Sequence, residues 1–117
     1  MGIRRIVPNL PARDPQALAA FYCQIFGIET VMDGGFIVTL AGSTQTTQLN
    51  LAAEGGAGTD IPAISVEVDD LDEAHARALL IGADIVYGPV EEIWGVRRFY
   101  LRDPEGNLIN ILTHSGA

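Results

Sequence analysis

Residues 61–82, IPAISVEVDDLDEAHARALLIG, decide the fold because a strand pattern in them runs directly into a helix pattern. The segment IPAISVEVD has the apolar alternation that is typical of a half-buried strand. Asp70 is suited to be the N-cap of the helix, Glu73 completes a capping box, and Gly82 ends the helix. The stretch therefore predicts a strand and a helix in immediate succession.

The same order occurs earlier in the chain. Residues 3–12, IRRIVPNLPA, form an extended pattern, and DPQALAAFYCQIFG then predicts a helix with Asp14 as its N-cap. Asp70 follows Asp14 by 56 positions, so the two helices begin at equivalent places in a repeat.

Each helix pattern is followed by three short strand patterns. The segments are IETVMD, FIVTLA and TTQLNLA after the first helix, and ADIVYGP, VRRFYLRD and NLINILTH after the second. The last strand of each set carries an amide among apolar residues, Asn50 in QLNL and Asn110 in LINIL. We therefore predict a single domain of two βαβββ modules, residues 1–53 and 61–117, joined by the polar linker 54–60.

The composition is that of an acidic chain rich in apolar residues. Its 117 residues are 48% hydrophobic and 19% charged, which argues against disorder. The net charge of -8 disfavours nucleic acid and anionic membrane partners. The first residues, MGIRRIVPNL, lack a signal-peptide pattern, and no segment is apolar enough to span a membrane. We therefore expect a cytoplasmic setting.

Three stretches together resemble the glyoxalase / bleomycin-resistance / extradiol-dioxygenase superfamily, also called vicinal oxygen chelate proteins. The resemblance covers nearly the whole chain. It implies an α+β fold in which the two modules form a curved open half-barrel, with helices on the convex face and a ligand cavity on the concave face. It also implies a homodimer. The stretches are ARDPQALAAFYCQIFGIE (12–29), VEVDDLDEAHARALLIGADI (66–85) and WGVRRFYLRDPEGNLINIL (94–112).

Metalloenzymes of this family hold a divalent ion with two residues from each module. The resemblance places those four positions at Val7, Asn50, Ala63 and Asn110, where the family usually has His or Gln and Glu. Valine and alanine offer no lone pair, and a neutral amide binds a transition metal more weakly than carboxylate or imidazole. We therefore expect no metal and no other cofactor.

The two amides have two interpretations. An amide offers two donors and one acceptor oxygen, so Asn50 and Asn110 could line the cavity and orient a neutral or zwitterionic ligand. Alternatively, they bond each other, the backbone or a buried water. An unpartnered buried polar group costs about 1–3 kcal/mol, so a partner is expected in either case.

Strand alternation and the resemblance add further candidate contacts. Asn9 shares a face with Val7, and Ser65 and Glu67 share a face with Ala63. Glu67 is either a pocket carboxylate, with a general base as one possible role, or a solvated charge at a strand end.

The segment from Trp94 to Tyr100 has its own alternatives. The resemblance places Trp94 near the cavity mouth, where it would stack on flat ligands; the alternative is a core or dimer contact. Arg98 and Tyr100 share one face of strand 96–103, and alternation alone does not assign that face to the cavity. His75 is expected to face solvent, His114 to lie near a frayed terminus, and Cys23 to be an inert packing residue.

The resemblance, taken together with these residues, implies two candidate functions. The first is a metal-free small-molecule-binding protein, in which drug sequestration is one role and the acidic charge suits a cationic ligand. The second is a metal-dependent lyase, isomerase or ring-cleaving dioxygenase. It would need a non-standard ligand set drawn from Glu67, His114 and Glu91.

Overall fold

A computed structural model of the chain describes residues 1–44 and 46–115. This part of the chain contains eight strands and two helices in the order βαβββ twice, so the predicted α+β class and the module repeat are confirmed. The elements are β1 (Ile3–Pro11), α1 (Pro15–Phe26), β2 (Glu29–Asp33), β3 (Ile37–Ala41), β4 (Gln48–Ala52), β5 (Ile64–Val68), α2 (Leu71–Leu80), β6 (Asp84–Glu91), β7 (Val96–Arg102) and β8 (Leu108–His114).

The contacts divide the chain into two compact units. The first unit is Val7–Ile61, and the second unit combines Met1–Ile6 with the chain from Pro62 onward. The first six residues therefore pack with the later module. Residues 54–60, expected to be a flexible linker, form a compact loop in which the Gly55 N–H bonds the Thr59 carbonyl at 2.8 Å.

The first unit has the strand order β2-β3-β4-β1, with β1 parallel to β4 and the other pairs antiparallel. Its core lies between the sheet and α1, where Val38, Leu40 and Leu51 are fully buried beside Ala19. Cys23 packs at the edge of this cluster, which agrees with the packing role predicted for it.

The second unit has the corresponding order β5-β8-β7-β6, with β5 parallel to β8. Phe99 and Val68 are buried against Leu71, Ala74 and Ala78. Burying an aromatic side chain of this kind stabilises a fold by about 1.5–3 kcal/mol.

The two helices begin in the same way. Both Asp14 and Asp70 have φ of -132°, and each side chain accepts a hydrogen bond from the backbone N–H three residues later, at 3.1 and 3.0 Å. Both predicted N-caps are thus confirmed. The second helix also carries His75, which is half-buried and packs its ring edge-on against Phe99 at 5.2 Å, so the solvent-facing prediction for His75 holds only in part.

Candidate functional site

In each unit one face of the sheet packs on the helix and leaves the other face for different contacts. Successive residues of a strand point to opposite faces. In the first unit Leu40 and Leu51 point toward α1, so the adjacent residues Thr39 and Asn50 point away from it. We call the surface opposite the helix the helix-free face of each unit.

The face of β7 left open by the sequence is now assigned. Phe99 belongs to the core beneath α2, and Arg97 donates to the Asp72 carboxylate of α2 at 2.5 Å. Arg98 and Tyr100, which alternate with them, therefore lie on the helix-free face of the second unit.

A polar row crosses the helix-free face of the first unit. The Thr39 hydroxyl donates to Asn50 Oδ1 at 2.6 Å, and Asn50 Nδ2 donates to Asn9 Oδ1 at 2.8 Å. All three residues are buried, and they occupy paired positions on β3, β4 and β1. Both ends of the Asn50 amide are thus bonded inside the unit, which favours the structural interpretation for Asn50.

The corresponding row in the second unit is incomplete. Asn110 Nδ2 donates to Ser65 Oγ at 3.0 Å, as Asn50 does to Asn9. Tyr100 occupies the position that corresponds to Thr39, but its hydroxyl accepts from Arg98 Nη1 at 2.7 Å. Within the described part of the chain, the buried Oδ1 of Asn110 has no hydrogen-bond partner.

Next to this row lies a buried ion pair that the sequence did not predict. Arg98 Nε and Nη2 contact Glu92 Oε2 at 2.7 and 2.6 Å, and the two side chains are only 4% and 7% exposed. The guanidinium lies over the rings of Trp94, Tyr100 and Tyr87, at 5.0, 4.8 and 5.5 Å from their centroids. Such cation–π contacts strengthen where water is excluded.

Tyr87 completes the cluster, because its hydroxyl donates to Glu92 Oε2 at 3.0 Å. Burial raises the pKa of Tyr87, and the hydrogen bond to the Glu92 carboxylate raises it further. The phenol therefore remains a neutral donor at physiological pH. Tyr87 and Glu92 were both missed from the sequence. Pairing of β6 with β7 could have found Glu92, whose N–H bonds the Val96 carbonyl two residues before Arg98.

Trp94 lies in the turn between β6 and β7 and is 40% exposed. One ring face is therefore within reach of Arg98 while part of the side chain meets solvent. This placement suits a stacking surface for a flat ligand.

Glu67 is bonded on both oxygens. Arg5 Nε donates to its Oε1 at 2.6 Å, and His114 Nδ1 lies 2.7 Å from its Oε2. Burial raises the pKa of Glu67, but hydrogen bonds from His114 and Arg5 and their charges outweigh it, so the net pKa is lowered. The lowered pKa of Glu67 does not fit a general base of raised pKa, and its partial burial between Arg5 and His114 does not fit a solvated strand-end charge. A pocket carboxylate at Glu67 stays a prediction. His114 ends β8 and is held by this contact rather than frayed.

The family's metal positions do not fit a divalent ion. In the first unit Val7 offers no donor atom, and the Asn50 amide is already bonded at both ends. In the second unit Ala63 has no donor atom, and Asn110 offers one neutral oxygen. Across residues 1–44 and 46–115, no three His, Cys, Asp or Glu side chains converge as metal ligands.

The non-standard metal ligands predicted from the sequence, Glu67, His114 and Glu91, do not form a metal site either. Glu67 and His114 meet, but Arg5 lies on the same carboxylate, and a guanidinium competes with a metal cation for it. Glu91 ends β6 as an exposed residue, paired across the hairpin with Arg97.

Among the described residues, neither helix is long and apolar enough to cross a bilayer.

Comparison with known proteins agrees with this architecture. The family model described as "Glyoxalase/Bleomycin resistance protein/Dioxygenase superfamily" matches residues 2–111. No curated protein sequence matches the chain. Among solved structures, a Legionella pneumophila chain described as an NAD-dependent benzaldehyde dehydrogenase has a TM-score of 0.77 at 16% identity, over 94% of this chain and 99% of that chain.

Two further structures have the same fold. A Vibrio splendidus member of the glyoxalase/bleomycin resistance protein/dioxygenase superfamily has a TM-score of 0.67 at 18% identity, covering 96% of this chain and 99% of its own. A single-residue variant of Streptomyces coelicolor methylmalonyl-CoA epimerase, in complex with 2-nitronate-propionyl-CoA, has a TM-score of 0.70 at 20% identity, covering 99% and 100%. At these identities the likeness establishes the fold alone.

Proposed function

The chain belongs to the glyoxalase/bleomycin resistance protein/dioxygenase superfamily, and from that premise we propose that it binds a small molecule without a resident metal ion. The ligand lies on the helix-free face of the second unit. It is neutral, zwitterionic or cationic, has a flat portion and carries a hydrogen-bond donor. Drug sequestration is one role that such binding would serve.

The observation that carries this proposal is the unsatisfied oxygen of Asn110. In the first unit Thr39 donates to the equivalent oxygen of Asn50 at 2.6 Å. In the second unit Tyr100 bonds Arg98 instead, and the described residues supply no donor to Asn110 Oδ1. Leaving such a group unpaired costs about 1–3 kcal/mol, and a ligand N–H or O–H would recover that energy.

The neighbouring cluster supports the ligand class. Trp94 presents a partly exposed ring for stacking, and it contacts the Arg98 guanidinium together with the rings of Tyr87 and Tyr100. The Arg98 charge is compensated by Glu92, so the cluster has no net attraction for an anion. The net charge of -8 then favours a neutral or cationic ligand over an anionic one.

The alternative is metal-dependent lyase, isomerase or dioxygenase chemistry. One solved structure of the same fold is an epimerase, but 20% identity carries the fold and not the activity. The donor set argues against this alternative, because valine and alanine stand at two of the four family positions.

The proposal predicts different stability effects for two equivalent substitutions. Asn110→Leu removes an unsatisfied acceptor together with the hydrogen bond from Asn110 Nδ2 to Ser65 Oγ, so the two effects offset each other. The free energy of unfolding should therefore change less than in Asn50→Leu, while ligand binding is lost. Asn50→Leu removes the partner of Thr39 and of Asn9, so it should cost about 1–3 kcal/mol and leave binding intact. Urea unfolding measures the free energy of unfolding of both variants.

Binding is measured by quenching of Trp94, the single tryptophan of the chain. The probes are bleomycin, a cation with a flat aromatic part, and the anions benzoate and S-methylglutathione as charge comparisons, each with and without added Zn²⁺ or Mn²⁺. We expect at least one probe to bind without metal and to lose affinity in Asn110→Leu. Binding that requires the metal, or that survives Asn110→Leu while Asn50→Leu abolishes it, would refute the proposal.

Homodimer formation and a cytoplasmic location stay predictions. The exposed apolar residues Phe21, Ile25 and Phe26 of α1, which are 53%, 57% and 65% exposed, support a self-association surface. Sedimentation of the wild type against Phe26→Glu tests the dimer, and an unchanged monomer in both would contradict it.

A further inference from the structure

We propose that the second unit has a second binding site, beneath α2, for an uncharged apolar small molecule. This goes beyond the proposed function, because it lies on the opposite face of the sheet. Its floor includes Leu101 and Ile111, which alternate with Tyr100 and Asn110 of the helix-free face. The two sites therefore share strands but no side chains.

The site is a half-open cavity of about 650 Å³ between α2 and the sheet, with one side open to solvent. Its wall on the helix is formed by Ala74 and Ala78, and its floor by Val68, Leu101 and Ile111, with Ile3 at one side. A volume of this size lies within the range of about 300–1,000 Å³ that small-molecule sites occupy.

The first unit explains why the cavity exists. Ala74 and Ala78 lie four and eight residues after the N-cap Asp70, and the same positions after Asp14 carry Leu18 and Tyr22. Leu18 and Tyr22 pack against the core of the first unit. The same positions thus carry large side chains in one unit, whereas in the other the two alanines pack on Phe99 and Val68 and leave an opening beside these contacts.

The lining determines the class of ligand. The buried lining residues Val68, Ala74 and Ala78 are aliphatic, so the interior offers dispersion contacts and burial of apolar surface. The charged lining residues are two arginines and two aspartates, so neither sign dominates; they are Arg77, Arg102, Asp84 and Asp103. An ion therefore gains no net electrostatic attraction from this lining, whereas the binding of a neutral apolar molecule does not depend on such attraction.

Replacing Ala74 and Ala78 with the residues at the equivalent positions of the first unit tests this site. The probe is Nile red, a neutral dye whose fluorescence rises in apolar surroundings. We expect saturable 1:1 binding to the wild type, and a loss of at least about tenfold in affinity, or about 1.4 kcal/mol, in Ala74→Leu/Ala78→Tyr. The urea midpoint is measured in parallel, because Ala74 and Ala78 also pack against Phe99 and Val68, and a loss of stability must be told apart from a loss of binding.

Two controls separate this site from other apolar surface. Leu80 is 87% exposed and lies outside the cavity lining, so Leu80→Gln should bind Nile red as the wild type does. Asn110→Leu should also bind normally, which keeps this proposal distinct from the helix-free face. Loss of binding in Leu80→Gln, or unchanged binding in the filled variant, would overturn the proposal.

A measurement on the wild type covers the case in which the filled variant does not fold. Methyl NMR during a Nile red titration should shift the signals of Ala74, Ala78 and Ile111. Shifts confined to other methyl groups, or no shifts, would refute the site.

Discussion

Glu92→Gln should destabilise the protein strongly, because it leaves the Arg98 guanidinium buried without a counter-charge. The two side chains are 4% and 7% exposed, and both contacting guanidinium nitrogens lie within 2.7 Å of Glu92 Oε2. Removing one member of such a buried pair costs about 3–5 kcal/mol. Glutamine keeps a carbonyl acceptor for Arg98 and Tyr87, so we expect the lower end, about 3 kcal/mol.

That loss is large but measurable. A chain of 117 residues has a total stability of about 6–18 kcal/mol at about 0.05–0.15 kcal/mol per residue. With a urea slope of about 1.5 kcal/mol per molar, the unfolding midpoint should fall by about 2 M. Far-UV circular dichroism is the appropriate signal, since Trp94 lies against Arg98 and its fluorescence would change locally.

A neighbouring ion pair supplies the matched control. Arg97 contacts Asp72 at 2.5 Å on the other face of the same strand, but these side chains are 39% and 76% exposed. Asp72→Asn should leave the midpoint nearly unchanged, because water and salt screen exposed pairs. The double variant Glu92→Gln/Arg98→Met should recover part of the loss by removing the stranded charge. Equal effects for Glu92→Gln and Asp72→Asn would refute the reasoning.

Two further changes probe the backbone and the acid limb of stability. Gly88→Ala should lower the free energy of unfolding by several kcal/mol, because at φ of 76° the new Cβ would lie 2.5 Å from the Arg98 carbonyl oxygen. Gly106→Ala, at φ of 84° in open space, should lower it by only about 1–2 kcal/mol. Equal thermal midpoints for the two variants would contradict this. The pKa of Glu67 is lowered in the folded state, so its contribution is present above the unfolded value of 4.5 and is lost as pH falls through the lower folded value. In Glu67→Gln the free energy of unfolding should fall less steeply as the pH is lowered. An unchanged dependence on acidic pH would contradict the stabilising role given to the Glu67 carboxylate.

The features that the sequence predicted correctly depend on local signals. Asp14 and Asp70 each bond an N–H three residues away, so capping is readable from a short window. The repeat of that window then predicts the βαβββ order, because each module must bury one face of its sheet under its own helix. Glu67 and His114 were misjudged because their contact joins residues 47 positions apart.

Tyr87, one of the two missed residues, depends on register. The pairing of β6 with β7 shifts between Ile85 and Tyr87 and again between Tyr87 and Val90, so simple alternation along β6 does not assign Tyr87 to the correct face.

The difference between Asn50 and Asn110 was also beyond the sequence. It depends on whether the facing side chain is a short threonine that reaches the amide or a tyrosine whose hydroxyl extends past it.

The grouping of Met1–Ile6 with the later module has a consequence for how the chain reaches its native state. The Gly2 N–H bonds Asp69 across a sequence separation of 67 residues, and Arg5 bonds Glu67 across 62. During synthesis Gly2 and Arg5 emerge before Asp69 and Glu67, so these contacts form only after that later part of the chain has been made. Closing so long a segment costs chain entropy, so the second unit should fold after the first. In the first unit the hydrogen bonds from Asn50 to Asn9 and from Thr39 to Asn50 join residues only 41 and 11 positions apart.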